Sequence, residues 1–288
     1  VTSLDSVKEI FVVCPICGVD DSDVKYPRND VHSRIVKCRH CGLLYTNPQL
    51  DVSAFYKEDS PYNDLYLKYL IGRYRTFEHK FKLINNFIKK GRLLDIGCAS
   101  GIFLDIADKQ GWICNGVEVN KDNVKWARER FNLLIHEDSF ENVDFKDNSY
   151  DLITLFSTFE HMSDPNFVLK KIYNLLNPGS YLVIEIPNIE SIQAKIFKGS
   201  YRHFLHAHYW YFSNATITEM LRRRNFNIVY FGYATKVYQL NYIIAYVAEY
   251  FTKNRFLKRL GNKLVTTLDK INFDPEIKLS LRDDYFII

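Results

Sequence analysis

The 288-residue chain is 47% apolar and 25% charged, a balance that suits a soluble globular protein with one α/β domain of ordinary size and a small appendage. A formal charge of +4 is too small to argue for a nucleic-acid footprint, and no apolar run reaches the length of a membrane span. With no basic start followed by an apolar segment and a small-residue cleavage site, the expectation is a cytoplasmic protein.

The first feature along the chain is a pair of Cys-x-x-Cys-Gly knuckles, Cys14-Pro15-Ile16-Cys17-Gly18 and Cys38-Arg39-His40-Cys41-Gly42. Two such knuckles put four thiolates, Cys14, Cys17, Cys38 and Cys41, within reach of one tetrahedral metal, and the glycines let backbone N–H groups turn toward the sulfurs. The expectation is a closed, structural zinc ribbon over residues 1–60; paired disulfides or a redox motif fit a chain without a secretory segment less well. His32 and His40 are read as loop residues. Cys98 and Cys114 are read as small buried apolar residues.

From 62 to 90 apolar residues recur at helical spacing (Leu65, Tyr69, Ile71, Phe77, Phe81, Ile84, Phe87, Ile88), so 61–90 reads as a helical segment able to cover a cleft. The run Arg92 to Phe103 then reads as strand, tight loop and helix. Gly97 and Gly101 let the backbone bend and let a ligand approach the unpaired N–H groups of the helix start. A second apolar run, Ile113 to Val119, contains Glu118, a carboxylate roughly twenty residues after the glycine loop. Helices are expected over 102–109 and 123–131, a buried strand over 150–156, and a helix opening at Asp164-Pro165 and closing before Asn177-Pro178-Gly179. A strand over 181–186 completes an alternation that argues for a parallel, doubly wound sheet. Residues 187–213, rich in aromatics and histidines, follow the carboxyl end of a central strand and form the substrate-side candidate. A helix over 216–224 and strands over 226–231 and 278–288 close the domain. The insertion 238–273 carries a basic amphipathic stretch that suits either packing on the domain or a second subunit, or an anionic membrane surface.

The stretch Asp95-Ile96-Gly97-Cys98-Ala99-Ser100-Gly101 resembles motif I of the class I S-adenosylmethionine (SAM) dependent methyltransferases, with Ala99 where the middle glycine usually stands. The resemblance implies a Rossmann-like α/β fold with a seven-stranded sheet over 91–288. It implies cofactor contacts from Asp95, Gly97, Ala99 and Gly101, from Glu118 and Val119 at the ribose, and from Asp138 and Ser139 of His136-Glu137-Asp138-Ser139-Phe140 at the adenine. Phe156 and the loop Ser157-Thr158-Phe159-Glu160-His161 would lie beside the methyl donor.

The segment His206-Ala207-His208-Tyr209-Trp210-Tyr211-Phe212-Ser213 narrows the resemblance to methyltransferases that carry an N-terminal zinc-binding domain and act on nucleotide-linked sugars. His206 and His208 match, whereas Ala207 replaces a Glu and Leu205 a Tyr that C-methylating members use to take a proton off carbon. The expectation is therefore O-methylation of a sugar or sugar nucleotide, with His208 as the base and His161 and His206 in reserve. Two other classes share some features. A zinc-ribbon RNA methyltransferase would need a basic surface, for which Arg222, Arg223 and Arg224 are the one cluster, and a non-catalytic SAM-binding module would not need the intact acidic residues Asp95, Glu118 and Asp138.

Overall fold

The computed structural model describes residues 8–51, 70–250, 255–270, 275–280 and 282–288. At the start lie β1 (Glu9–Ile10), β2 (Ser22–Tyr26), β3 (Ile35–Cys38), β4 (Leu44–Thr46) and β5 (Gln49–Leu50). Next come α1 (Leu70–Ile84), β6 (Arg92–Ile96), α2 (Ile102–Lys109), β7 (Ile113–Glu118), α3 (Lys121–Phe131), β8 (Leu134–Glu137) and β9 (Tyr150–Phe156). A 3₁₀ turn, Phe159–His161, leads to α4 (Pro165–Leu175), β10 (Leu176–Pro187), α5 (Ile192–Phe197), β11 (Trp210–Tyr211) and α6 (Asn214–Arg222). The chain ends with β12 (Phe231–Tyr233), β13 (Lys236–Gln239), α7 (Leu240–Tyr250), α8 (Arg255–Lys270), β14 (Glu276–Leu279) and β15 (Asp284–Ile287).

The main sheet has seven strands in the order β12-β15-β10-β9-β6-β7-β8. From β10 to β8 they run parallel, and β15 is antiparallel to both its neighbours. Helices cover both faces, which is why the central strands read as unbroken apolar runs: Leu93, Leu94, Leu152, Ile153, Leu155 and Val183 are buried. Local chemistry sets the helix starts. The Asn120 side chain caps α3 by accepting from the Asn123 amide, Asp164 accepts from the amides of Asn166 and Phe167 ahead of Pro165, and Ser213 with Thr216 closes a capping box on α6.

Several expected boundaries move. The helix of 62–90 is described only as α1, with Leu65 and Tyr69 outside the described residues. Strand β10 begins at Leu176, directly after α4, and takes up Asn177-Pro178-Gly179 as a register shift before Tyr181, with Gly179 at φ 81°. The strand expected over 226–231 forms only at 231–233. The one expected over 278–288 is split, because 276–279 pairs with β13 at the foot of the α7–α8 insertion and only 284–287 enters the main sheet. On α8, Val265 is buried while Leu260 and Leu264 stay exposed beside Arg259 and Lys263. Among the described residues no helix is long and apolar enough to cross a membrane.

A second sheet, β11-β4-β3-β2, joins the N-terminal ribbon to the large domain: β11 comes from the substrate-side segment and pairs with β4, Trp210 opposite Tyr45 and Tyr211 opposite Leu44. The knuckles are docked as well, with Asn166 Nδ2 donating to the Pro15 carbonyl at 2.8 Å and Arg223 Nη1 to that of Ile16 at 2.9 Å.

On α4, Leu169 is fully buried and Phe167 is 45% exposed. Leu169→Ala is expected to lower unfolding free energy by about 2–5 kcal/mol, and Phe167→Ala by well under that, roughly 1 kcal/mol or less. Urea denaturation curves of the two variants check the contrast.

Candidate active site

Strand β6 delivers Asp95 to the carboxyl edge of the sheet, and the chain then turns through three left-handed residues, Gly97 (φ 73°), Ala99 (φ 47°) and Gly101 (φ 73°), into α2. At Gly97 a Cβ would come within 2.5 Å of the Thr158 hydroxyl, so the two loops meet too closely for any side chain there. Ala99 tolerates its strained φ because its amide donates to Glu118 Oε2 at 2.8 Å. Glu118 Oε1 accepts from the Asn120 amide, also at 2.8 Å. A carboxylate has about four lone-pair sites, so each oxygen keeps capacity for a ribose hydroxyl. Val119 lies between Glu118 and the cap of α3. Asp138, exposed after β8, takes up the amide of Ser139 and the Asn142 side chain.

Asp95 is 2% exposed and accepts from Thr154 Oγ1 at 2.6 Å, and burial pushes its carboxyl up to about 7. Phe156 ends β9 in a ring cluster with Phe77, Phe103 and Phe286. Over Phe77 and Phe156, at 4.5 and 4.6 Å, lies the ammonium of Lys80 from α1, buried and ion-paired to Glu185 of β10 at 2.8 Å. Tyr74 and Arg75 of the same helix bond elsewhere, to Asp105 and to Glu78 and Glu276.

Across the same sheet edge the 3₁₀ turn brings Glu160 and His161 against the segment before β11. The rings of His161 and His208 meet edge to face at 4.5 Å, and His203 stacks on His208 at 5.9 Å. Burial drives the carboxyl of Glu160 up to about 8 and the imidazole of His161 down to about 4, and it holds His208 well below the usual range. His206 is turned away from this group: its Nδ1 lies 3.3 Å from the Ser33 hydroxyl and its amide bonds to the Val31 carbonyl, so it belongs to the contact with the ribbon. Beyond His203 lie the Lys236–Asp284 ion pair at 2.5 Å and the Arg202–Asp283 pair at 3.6 Å. Burial opposes the Lys236 ammonium, but Asp284 and Glu185 outweigh it and raise it above its ordinary range.

Lys80, Glu185, His203, Lys236 and Asp284 were not singled out from the sequence. Two of them carry a usable signal: Glu185 interrupts the apolar run Leu182-Val183-Ile184-Glu185-Ile186, and Lys80 sits one residue before Phe81 inside the apolar stripe of α1. A buried charge in such a place needs a partner.

In the ribbon, the four thiols of Cys14, Cys17, Cys38 and Cys41 lie within 4.8 Å of one another, with Sγ–Sγ distances of 3.3 Å (Cys14–Cys41) and 3.5 Å (Cys17–Cys38). Four sulfurs about 2.3 Å from a tetrahedral zinc would be roughly 3.8 Å apart, so the thiols fit that ion. Gly18 and Gly42, at φ 75° and 80°, end the two turns.

The model of a methyltransferase domain family matches residues 66–230. The chain belongs to this family. Among curated relatives, the ubiquinone biosynthesis O-methyltransferase of Aeromonas salmonicida is 30% identical over 103 residues, 34% of this chain and 43% of that protein. The protein of the same name from Vibrio vulnificus is 27% identical over 116 residues, 37% of this chain and 47% of its own length. The matched region thus spans less than half of these relatives. A solved structure of a candidate methyltransferase from Bacillus halodurans, 12% identical, superposes with a TM-score of 0.50 over 73% of this chain and 95% of that one, a likeness of fold.

In the unfolded chain Asp95 titrates near 3.8 and in the native protein near 7, so between these values the native state holds the extra proton. Stability is therefore expected to fall as pH rises through that window, and Asp95→Asn to flatten this slope. Denaturation midpoints of the two ligand-free proteins, measured from pH 4 to 8, check it.

Proposed function

We propose that the protein transfers a methyl group from SAM to a hydroxyl of a sugar or nucleotide-linked sugar. The observation that carries this reading is the set of buried polar atoms without a hydrogen-bond partner on the acceptor side: both carboxylate oxygens of Glu160, His203 Nε2, His208 Nδ1, and Oδ1 of Asp283 and of Asp284. Unpaired buried polar atoms are costly, and a polyhydroxylated acceptor satisfies many of them at once. The name shared by the curated relatives supports oxygen as the methylated atom.

SAM would be held by the glycine loop, by Glu118 at the ribose and by Asp138 at the adenine, with Phe156 near the reacting end. When bound it supplies a methyl carbon already activated by the sulfonium. The protein aligns the acceptor oxygen with that carbon, excludes water and removes the hydroxyl proton, a step that centres on His208. Zinc held by the four cysteines would fix the knuckles and, through β4, the strand that follows His208. An RNA substrate receives little support, because the basic cluster is spent internally: Arg222 and Arg223 pair with Glu219, and Arg224 bonds to Asn166.

Methyl-labelled SAM incubated with a nucleotide-sugar extract and, in parallel, with total RNA is expected to label a small anionic metabolite; label in RNA would reject the sugar reading. Two variants separate cofactor from acceptor. Glu118→Gln is expected to weaken SAM binding about tenfold or more, by analogy with a lost charge-assisted hydrogen bond. His208→Gln should leave SAM affinity within about twofold and lower turnover at least about 100-fold. Calorimetric SAM titration and single-turnover rates read the two effects apart.

A further inference from the structure

The acceptor-side cluster has a second feature that the hydroxyl-binding reading does not use. Glu160, His161 and His208 each present one ligand atom, and the three atoms lie within 4.8 Å of one another. Glu160 is 1% exposed and His208 5% exposed, and neither carboxylate oxygen of the one nor Nδ1 of the other has a hydrogen-bond partner. A carboxylate and two neutral imidazoles bring more lone pairs to this point than donors, which is the situation a cation resolves.

From the residues around this cluster and their geometry we infer that Glu160, His161 and His208 form a second metal site, distinct from the four cysteines, that takes a first-row divalent ion such as Zn²⁺, Co²⁺ or Fe²⁺. The inference rests on the reading of this pocket as the acceptor site. Nitrogen and oxygen ligands at about 2.0–2.2 Å suit these ions better than Mg²⁺, and three protein ligands leave coordination positions open. The surroundings are those of a ligand set. His161 Nδ1 lies 2.9 Å from the Ala207 carbonyl, a contact that fixes its tautomer with Nδ1–H donating and leaves Nε2 as the ligating nitrogen. Both ligand-bearing segments are pinned, since the Tyr209 amide donates to the Glu160 carbonyl at 2.9 Å and Trp210 Nε1 to that of Met162 at 2.6 Å. Here Ala207 acts through its carbonyl, so the missing side chain at that position is no loss to the site.

In an open position the ion would bind the acceptor hydroxyl and make it more acidic. With His208 held as a ligand of the ion and no longer the free base, the O–H proton passes to a water on a second open position of the ion, the oxygen lone pair forms the new O–C bond, and the electron pair of the breaking C–S bond stays on sulfur as S-adenosylhomocysteine leaves.

Full-length protein with zinc already in the cysteine site should be titrated with Co²⁺ alone. One equivalent is expected to bind with visible d–d bands and without the intense ultraviolet band of a thiolate ligand. Glu160→Gln and His208→Asn should each weaken this binding more than about 100-fold, a larger loss than that from an outer-shell change. Fully cobalt-substituted samples of both variants should keep the thiolate band, which reports an intact fold. No non-thiolate cobalt in the wild type, or equal binding in the variants, overturns the site. Methyl transfer that persists unchanged in metal-free wild type and in Glu160→Gln overturns its part in the reaction while leaving the methyltransferase reading standing.

Discussion

The pairing of β11 with β4 is the constraint on which the acceptor side depends. Residues 198–209 have little regular structure and carry His203, His206 and His208; a chain of this kind keeps a geometry only where its ends are held. One end is held by the ladder Trp210–Tyr45 and Tyr211–Leu44, continued by the Thr46 amide donating to the Tyr209 carbonyl at 2.9 Å. Farther back, the His32 ring reaches the Gly199 carbonyl at 3.1 Å, and Tyr26 and His32 pack on Phe204. The ribbon thus holds both ends of this segment.

The two halves of the site are built on different physics. On the cofactor side, position comes from backbone: three left-handed residues, a helix start, and a Glu118 carboxylate tied to the amides on either side of the cleft. On the acceptor side, the strand pairing is supplemented by a buried charge pair, Lys236 with Asp284 beyond His203, while a second buried pair, Lys80 with Glu185, lies over Phe156. Replacing one member of such a pair leaves its partner charged and dry, which costs more than the pair itself contributes.

This difference explains what could be read from the sequence. The glycine loop, the carboxylate after the second strand and the cysteine knuckles were legible because each is a short-range pattern whose chemistry needs fixed spacing. The parallel sense of β6, β7 and β9 followed from the alternation of apolar runs with helices. Asn177-Pro178-Gly179 misled as to where β10 starts, because a bulge uses the same turn residues as a loop. The acceptor side was legible only in part: His161 and His208 stood out as histidines, but Glu160 was read only as part of the loop beside the methyl donor, and Lys80 and Asp284 were not singled out. Their meaning depends on meeting partners far along the chain, Glu160 with His208, Lys236 with Asp284 and Lys80 with Glu185, and no local pattern encodes that. His206 drew attention by its neighbour two residues on, yet a turn at 206–207, closed by the His208 amide on the Leu205 carbonyl, separates the two rings and leaves His206 toward Ser33.

The shared sheet also bears on how such a protein can change its substrate over evolutionary time. Among the described residues the strands that carry the glycine loop make no ladder with the ribbon, whereas the segment that carries His203 and His208 does. Ribbon and acceptor segment therefore form one heritable unit although some 160 residues separate Leu44 from Trp210 along the chain. A chimera that exchanges the ribbon without residues 198–212, or the reverse, breaks this sheet; one that exchanges both together keeps the β11–β4 ladder and leaves β6 to β8 in place.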